Sequence, residues 1–397
     1  MRKNWQAEGM TEQDLYGVLL DEFWGIPLFD VHSHFCQEGG MVDDPESYLS
    51  AWTQPEVPPP GLTEAQIRDW REGRWAMKRT YWFSRACGNA LRELYATDDS
   101  AEMARLMNGV RARGLEASID WMRGKSNVEN IVVDSNPDLA AAREGILSTY
   151  RLDARGVTWR SCELEDVLEG EEERIKGLKE AGGVHCFKIP VAYDRSLRME
   201  DVSLEEAARA ARKEPEKRNP GEQKAIEDYI FRHFMRRAGR WSMPVEIHTG
   251  FGWAIHDRPL RLSEADPENL LPVLENEEFR RTQFILFHGG YPFTSKMGYM
   301  AGAFSNVNLD FTCLSPESWR MLKRALHEWI DIVPLDRMVA GSDGSYEWLY
   351  FGARLNRECL AQVLAEKVES EYMDLEMAVS MGRHILRDNG RRIFGLE

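Results

Sequence analysis

The sequence lacks the features that mark secreted, membrane and nucleic-acid-binding proteins. Its six cysteines include no CxxC pair and no short disulfide-type spacing, which in a chain of 397 residues is typical of reduced thiols. No stretch approaches the roughly 18 apolar residues of a membrane span, and the N-terminus lacks the apolar segment of a signal peptide. The formal net charge of −16 disfavours contact with phosphate backbones. We therefore expect a cytoplasmic protein that binds neither membrane nor nucleic acid.

The sequence does contain a regular alternation of short apolar runs and longer charged segments. The apolar runs are bounded by turn residues and are too short for helices, as expected of buried parallel strands. Strands are predicted at residues 28–32, 130–134, 157–161, 184–189, 245–248, 283–288, 307–311 and 338–342. The segments between them have helical patterns. This alternation favours one (β/α)8 TIM barrel domain over residues 1–397, with a doubly wound open sheet as the alternative.

The interval between the first two predicted strands is far longer than one crossover helix needs. It contains PEVPPP and then a helical segment rich in tryptophan and basic residues: Trp70, Arg71, Trp75, Lys78, Arg79, Trp82 and Arg85. An excursion from the first βα loop emerges at the carboxyl end of a barrel, where barrel active sites lie. We predict that residues 40–127 form a helical cap inserted in the barrel domain. The alternative is that the tryptophans only pack the insertion on the barrel or on a second subunit of a homo-oligomer.

Histidine and aspartate residues gather at the ends of the predicted strands. The first strand carries His32 and His34, whose spacing of two places both imidazoles on one face. The fifth, sixth and eighth strands end near His248, His288 and Asp343. A barrel brings these strand ends onto one face, and imidazole and carboxylate are ligands that zinc, manganese and iron accept. The pattern predicts a metal site, although Asp343 alone is also compatible with a helix N-cap.

Four further residues near the strand ends are candidates for contacts with a small-molecule substrate. Lys188, in the fourth strand, is predicted to pair with a substrate carboxylate or to form an end-of-strand salt bridge. Arg195 follows the same strand and is predicted to hold a carboxylate bidentately, or else to form a surface ion pair. Tyr291 is a candidate donor to a developing oxyanion, or a packing residue. His256, in the loop after the fifth strand, is a candidate substrate contact.

In strand order, the HxH pair followed by Lys, His, His and Asp resembles the pattern of the amidohydrolase superfamily. The stretches IHTGFG, FHGGYPFTSKMGYM and GSDGSYEWLYFGARLNREC are similar to the amidohydrolase-2 group. Within that group they look most like the FluG/nodulin-type amidohydrolases, some of which are fused to a glutamine-synthetase-like domain. The resemblance covers residues 184–397 and the first strand, and it is poor across residues 40–130.

The resemblance implies a divalent metal bound by His32, His34, His248 and Asp343, with zinc expected and manganese or iron as alternatives. It also implies that Asp343 takes a proton from a metal-bound water. Whether the chain binds one metal ion or two remains open. With one ion, which we favour, His288 points at the substrate or orients the leaving group. With two, a carbamylated Lys188 and His288 complete the second site.

The activity that the resemblance implies is hydrolysis of a C–N bond, in an amide or γ-glutamyl-type amide. Relatives with this ligand set decarboxylate aromatic acids, and more distant ones with a long insertion after the first strand isomerise uronate sugars. The insertion here keeps that second possibility open, whereas the IHTG and HGGYP stretches fit the hydrolase better. A third alternative is a non-catalytic regulatory barrel that binds metal, which a complete set of ligand types disfavours.

Overall fold

The strands of the protein form a nearly closed barrel. The computed structural model describes residues 10–35, 40–51, 57–78, 81–152, 160–252 and 260–396. Its parallel strands pair in sequence order: β1 (Leu28–Ser33), β2 (Val128–Val133), β3 (Ile146–Arg151), β4 (Cys186–Ile189), β5 (Val245–His248), β6 (Phe284–Phe287), β7 (Val307–Asp310) and β8 (Met338–Val339). Backbone amides of Val31 and Asp343 donate to the carbonyls of Ala340 and His32, which joins the first strand to the last. The predicted (β/α)8 barrel is confirmed.

The third strand lies earlier in the chain than predicted. It is Ile146–Arg151, whereas the prediction was 157–161, most of which lies outside the described residues; the remaining two residues are not in a strand. β3 carries two buried polar residues, Ser148 and Thr149. Thr149 Oγ1 donates a hydrogen bond to Asp134 Oδ1, 2.8 Å away, after β2. These polar side chains interrupt the apolar run that identifies the other strands in the sequence.

Helices connect the strands and cover the barrel. Those in the described residues are α1 (Glu12–Trp24), α2 (Pro45–Ala51), α3 (Glu64–Lys78), α4 (Trp82–Tyr95), α5 (Ser100–Arg111), α6 (Leu115–Ser126), α7 (Pro137–Ala142), α8 (Leu164–Glu180), α9 (Leu204–Ala211), α10 (Pro220–Trp241), α11 (Leu271–Leu274), α12 (Thr294–Ala303), α13 (Leu314–Glu317), α14 (Trp319–Ile332), α15 (Glu347–Glu369), α16 (Leu375–Arg383) and α17 (Asn389–Ile393). The start of α10 shows how the sequence sets such boundaries: Asn219 and Glu222 form a capping box around Pro220. None of the helices described is long and apolar enough to cross a membrane.

The interval between β1 and β2 contains α2 to α6, and the described part of it packs on the helices that follow β7 and β8. α4 and α6 contact α15, and α4 also contacts α13. The Trp82 indole donates to the Ser315 carbonyl at 2.8 Å. A buried ion pair joins Arg111 Nη2 on α5 to Glu347 Oε2 on the first turn of α15, at 2.7 Å. These contacts fix the helical insertion beside the carboxyl end of the barrel, while its role as a cap remains a prediction.

The amino end of the barrel is closed by the C-terminal segment. Phe29 on β1 packs on Phe394, with ring centroids 5.3 Å apart, and Ile393 joins the same buried cluster. On α15, the buried guanidinium of Arg357 donates to five backbone carbonyls: those of Phe23, Ile26, Ser126, Asn127 and Ala353. Four of these carbonyls lie just before β1 and β2. Arg357 therefore holds the starts of the first two strands together.

Candidate metal centre

The carboxyl ends of β1 and β8 bring His32, His34 and Asp343 together. Asp343 Oδ1 lies 3.2 Å from His32 Nε2 and 3.0 Å from His34 Nε2. Ligand atoms of the three residues all lie within 4.8 Å of one another. The side chain of His32 is 2% exposed and that of His34 is 40% exposed, so the group is open to a ligand on one side only. Two imidazoles and a carboxylate at this separation fit a divalent cation.

Opposing charges set the protonation of this group. Burial and the nearby Lys188 both act to lower the pKa of His32, but Asp343 and Glu246 outweigh them and raise it to about 9. Burial acts to raise the pKa of Asp343, but its hydrogen bonds with His32 and His34 hold it well below its ordinary value of 3.8. A carboxylate that stays ionised beside imidazoles provides a strongly anionic ligand for a cation.

His248 and His288 lie beside this group, and their rings contact each other with centroids 4.4 Å apart and planes tilted by 54°. His248 Nε2 lies 3.0 Å from the carbonyl oxygen of Phe251, so Nε2 donates and the lone pair of a neutral ring is on Nδ1. Burial lowers the pKa of His248 well below its ordinary value, and it lowers that of His288 to about 3. Both rings are therefore neutral. His248 is not part of the His32–His34–Asp343 group, and its predicted role as a ligand remains a prediction.

A second cluster shares Asp343 and includes a residue that the sequence analysis missed. Ligand atoms of His288, Cys313 and Asp343 lie within 4.8 Å of one another. Cys313 Sγ lies 2.9 Å from Asp343 Oδ2, and His288 Nδ1 lies 3.8 Å from the same oxygen. Burial, and then the charge of Asp343, raise the pKa of the Cys313 thiol well above its ordinary value. Nothing in the FTCLSP stretch marks this cysteine, because most buried cysteines are inert small apolar residues.

The backbone is unusual at all three members of the second cluster. His288, Cys313 and Asp343 have φ angles of +64°, +68° and +58°, a region that residues other than glycine seldom adopt. The buried carboxylate of Asp310 holds two of these turns, because its Oδ2 accepts hydrogen bonds from the amides of His288 (3.3 Å) and Thr312 (3.0 Å). Conformations of this kind persist where the surroundings fix them, and they concentrate at functional sites.

Two charged residues of the barrel lie next to His32. Lys188 Nζ is 3.4 Å from His32 Nε2 and 4.0 Å from the centroid of the Phe287 ring. Glu246 Oε2 is 3.4 Å from His32 Nδ1, and Glu246 Oε1 is 3.3 Å from Cys186 Sγ. Neither His32 Nδ1 nor Glu246 Oε2 makes a well-formed hydrogen bond to a described residue. In the part of the chain that the structure describes, no carboxylate lies within salt-bridge distance of the buried Lys188 ammonium. Glu246 was not predicted, although a charged residue inside the buried VEIH run was a usable signal.

The predicted substrate-binding residues have different surroundings. Arg195 Nε and Nη2 donate to Glu227 Oε2 and Asp228 Oδ1 on α10, both at 2.6 Å. Arg195 thus forms ion pairs, which is the second of the two roles considered for it in the sequence. The Tyr291 ring lies against an aromatic ring of the neighbouring loop. His256 lies outside the described residues. The substrate-binding roles of these residues remain predictions.

Sequence comparison identifies the family. A family model described as amidohydrolase, of the amidohydrolase-2 group, matches residues 165–396, which is more than half of the chain. The chain belongs to the amidohydrolase family. Protein fluG of Emericella nidulans is 27% identical to this amidohydrolase over 183 residues, covering 44% of the chain and 20% of that protein. The chain therefore spans about a fifth of the length of that relative, and the expected resemblance is confirmed at the level of the group.

Solved structures agree with the barrel. A metal-dependent hydrolase described as putative, from Lactobacillus casei ATCC 334, superposes with a TM-score of 0.75 at 20% identity, covering 95% of this chain and 97% of that one. Glucuronate isomerase from Caulobacter crescentus superposes with a TM-score of 0.66 at 14% identity, covering 98% and 95%. At these identities the similarity supports the fold. It leaves open whether the reaction is a hydrolysis or an isomerisation.

Proposed function

We propose that this amidohydrolase hydrolyses a C–N bond of a small molecule, in an amide or γ-glutamyl-type amide, with a bound divalent metal. The observation that carries the proposal is the convergence of His32, His34 and Asp343, whose ligand atoms lie within 4.8 Å of one another. Zinc is the expected metal, with manganese and iron as alternatives. Family membership supports an enzyme of this kind, and the choice of a C–N bond is our inference.

In this proposal His32, His34 and Asp343 hold the metal, and His248 Nδ1 is the candidate fourth donor. A divalent cation at this position supplies Lewis acidity and lowers the pKa of a water molecule towards neutrality. Asp343, whose pKa is held low by its histidine neighbours, is ionised and accepts the proton of the attacking water at a carboxylate oxygen. His288, which is neutral and buried next to Asp343, orients the leaving group.

Lys188 is the proposed determinant of substrate class. Its ammonium is buried next to His32 and has no carboxylate partner among the described residues. A buried cation without a counter-ion is unfavourable, so an anionic group on the substrate would stabilise it. This supports an amide that carries a free carboxylate, as γ-glutamyl amides do. The alternative is a carbamate on Lys188, which would make the residue a ligand of a second metal together with His288.

An isomerase is the second candidate, because the similarity to glucuronate isomerase extends over 98% of this chain and therefore includes the helical insertion. Product analysis separates the two reactions. Hydrolysis releases an amine or ammonia from an amide that carries a carboxylate. Isomerisation converts a uronate sugar to an isomer of the same mass, and a decarboxylase would release carbon dioxide. Turnover of a uronate without amine release from any amide would replace the hydrolase proposal.

The first experiment is elemental analysis of protein purified without chelator. We expect bound zinc, manganese or iron in the wild type and loss of metal in His32→Ala. His327→Ala is the matched control, because His327 bonds Glu366 away from the site at 2.9 Å. About one ion per chain supports the mononuclear arrangement and about two supports the dinuclear one. Folded protein that binds no metal even after reconstitution would overturn the proposal in favour of a non-catalytic barrel.

A further inference from the structure

We propose that Cys313 is a metal ligand, and that with His288 and Asp343 it forms a second cation position next to the one at His32 and His34. The inference rests on the proposed metal-dependent function and extends it to a residue that the family pattern in the sequence does not contain. It concerns a thiolate site, which selects for different metals than a site of nitrogen and oxygen ligands.

The geometry of Asp343 carries the inference. Its two carboxylate oxygens face different sets of ligands, with Oδ1 3.2 and 3.0 Å from His32 and His34 and Oδ2 2.9 Å from Cys313 Sγ. His288 Nδ1 faces Oδ2 at 3.8 Å, which is too far for a hydrogen bond between them. Ligand atoms of one tetrahedral zinc ion lie roughly 3–4 Å apart, because each metal–ligand bond is about 2.0–2.3 Å. The spacing on the Oδ2 side therefore fits ligands arranged around a common ion.

The surroundings of Cys313 distinguish it from the other described cysteines. Cys313, His288 and Asp343 are joined into one group by their ligand atoms, and His288 is 5% exposed. Cys186 also has a carboxylate neighbour, Glu246, but it belongs to no group of three ligand residues in the described part of the chain. A thiol near one carboxylate is a common packing arrangement, whereas cysteine, histidine and aspartate around one point is a ligand set.

The chemistry of this set favours a thiophilic ion. Thiolate and imidazole together bind zinc and cobalt in preference to magnesium or calcium, which prefer oxygen ligands. Binding converts the Cys313 thiol to a thiolate and releases its proton to solvent. Asp343 Oδ2 is the oxygen that faces this second position, and with an ion bound there His288 would be a ligand instead of orienting the leaving group as it would with one ion. The carbamate on Lys188 is not needed for a two-metal site of this form.

Cobalt(II) substitution tests the inference without an activity assay. Thiolate ligation of cobalt produces an intense charge-transfer band in the near ultraviolet, which nitrogen and oxygen ligands do not produce. Wild-type protein, Cys313→Ala and the matched control Cys186→Ala are stripped of metal, titrated with cobalt and checked for folding by circular dichroism. We expect the band in the wild type and in Cys186→Ala, its loss in Cys313→Ala, and a fall from about two bound ions to about one in that variant.

Each outcome separates this inference from the proposed function. A band that persists in Cys313→Ala, or wild-type protein that binds cobalt without the band, overturns the role of Cys313 and leaves the metal-dependent function standing. A folded wild type that binds no cobalt overturns both. Loss of the band and of one ion in Cys313→Ala, with the other ion retained and the fold intact, establishes the second position.

Discussion

At the amino end of the barrel, the buried Arg357 guanidinium donates to five backbone carbonyls, whereas at the carboxyl end the buried Lys188 ammonium has no carboxylate partner in the described chain. Near Lys188, His32 Nδ1 and Glu246 Oε2 also lack a well-formed hydrogen bond to a described residue. Satisfied buried groups stabilise a fold, and unsatisfied ones cost free energy unless a ligand completes them.

The difference indicates that the amino end of the barrel serves stability and the carboxyl end serves ligand binding. Substitutions at the amino end are expected to lower the free energy of unfolding and leave metal binding intact. Substitutions at the carboxyl end are expected to weaken metal binding at little cost in stability. The first three predictions below test that separation, and a variant that changes both properties together would contradict it. The fourth concerns the pH dependence of stability.

Arg357→Met is expected to have the largest effect. Methionine fills much of the same volume but removes five hydrogen bonds from a buried donor to backbone carbonyls, so the free energy of unfolding should fall by roughly 3–5 kcal/mol. Urea denaturation measures the loss. Arg354→Met, on the same helix, is the control, because Arg354 makes only partly exposed ion pairs with Glu93 and Glu358 and should cost less than about 1 kcal/mol. Folded Arg357→Met should keep its metal.

Asp343→Asn is expected to have the next largest effect, which is on metal affinity. The amide has the same shape but no charge to offer a cation. Loss of a residue that only hydrogen-bonds to a metal ligand lowers metal affinity by up to ~100-fold, so loss of the ligand charge itself should lower it by more than that. Competition with a chromophoric chelator measures the affinity. Asp336→Asn is the control, since Asp336 is 55% exposed and its main ion-pair contact, to Arg337, is 3.7 Å long. Equal affinities in the two variants would remove Asp343 from the metal site.

Glu246→Gln tests the residue that faces the far side of His32. The carboxylate favours a proton on His32 Nδ1, which leaves Nε2 for the metal, so its removal should lower metal affinity by about 10–100-fold. Glu129→Gln is the comparison at the amino end, where Glu129 pairs with Arg387 at 2.9 Å. It should leave metal affinity unchanged. A loss of affinity in Glu129→Gln as large as that in Glu246→Gln would argue against separate roles for the two ends.

Glu317→Gln is expected to have the smallest effect, visible only in the pH dependence of stability. Burial raises the pKa of Glu317 to about 7, against a partial opposing effect of Lys78, and its Oε1 lacks a described hydrogen-bond partner. The folded chain therefore keeps a proton that the unfolded chain releases between about pH 4.5 and 7, and Glu317 should lower wild-type stability by up to roughly 3 kcal/mol as the pH rises through that window. Urea denaturation at pH 5 and pH 8 should show a smaller fall in Glu317→Gln.

The sequence predicted the barrel and the convergence of three candidate ligands because both follow from the pattern of strands and of the residues at their ends. His32, His34 and Asp343 come together since strand ends in a parallel barrel share one face. The third strand was misplaced because buried Ser148 and Thr149 break its apolar pattern, and their hydrogen bonds to the neighbouring loop exist only in the folded chain. Local pattern cannot report such long-range compensation.

Other features of the site depend on the orientation of side chains, which sequence pattern does not encode. Cys313 is three residues past the end of β7, and the turn held by Asp310 brings its Sγ to Asp343. Arg195 follows the fourth strand as predicted, but the carboxylates that form ion pairs with it come from α10, which lies further along the chain. Both outcomes are set by contacts between segments distant in the chain.

The site also needs residues from near both ends of the barrel sequence, so most of the barrel must be synthesised before it can form. His34 and Asp343, which share a hydrogen bond of 3.0 Å, are 309 positions apart in the sequence. Contacts of such long range form late in folding, because the intervening chain must be ordered first. A nascent chain on the ribosome cannot bring Asp343 to His32 and His34 until β8 has emerged, so we expect the proposed metal site to form only on chains synthesised past that strand.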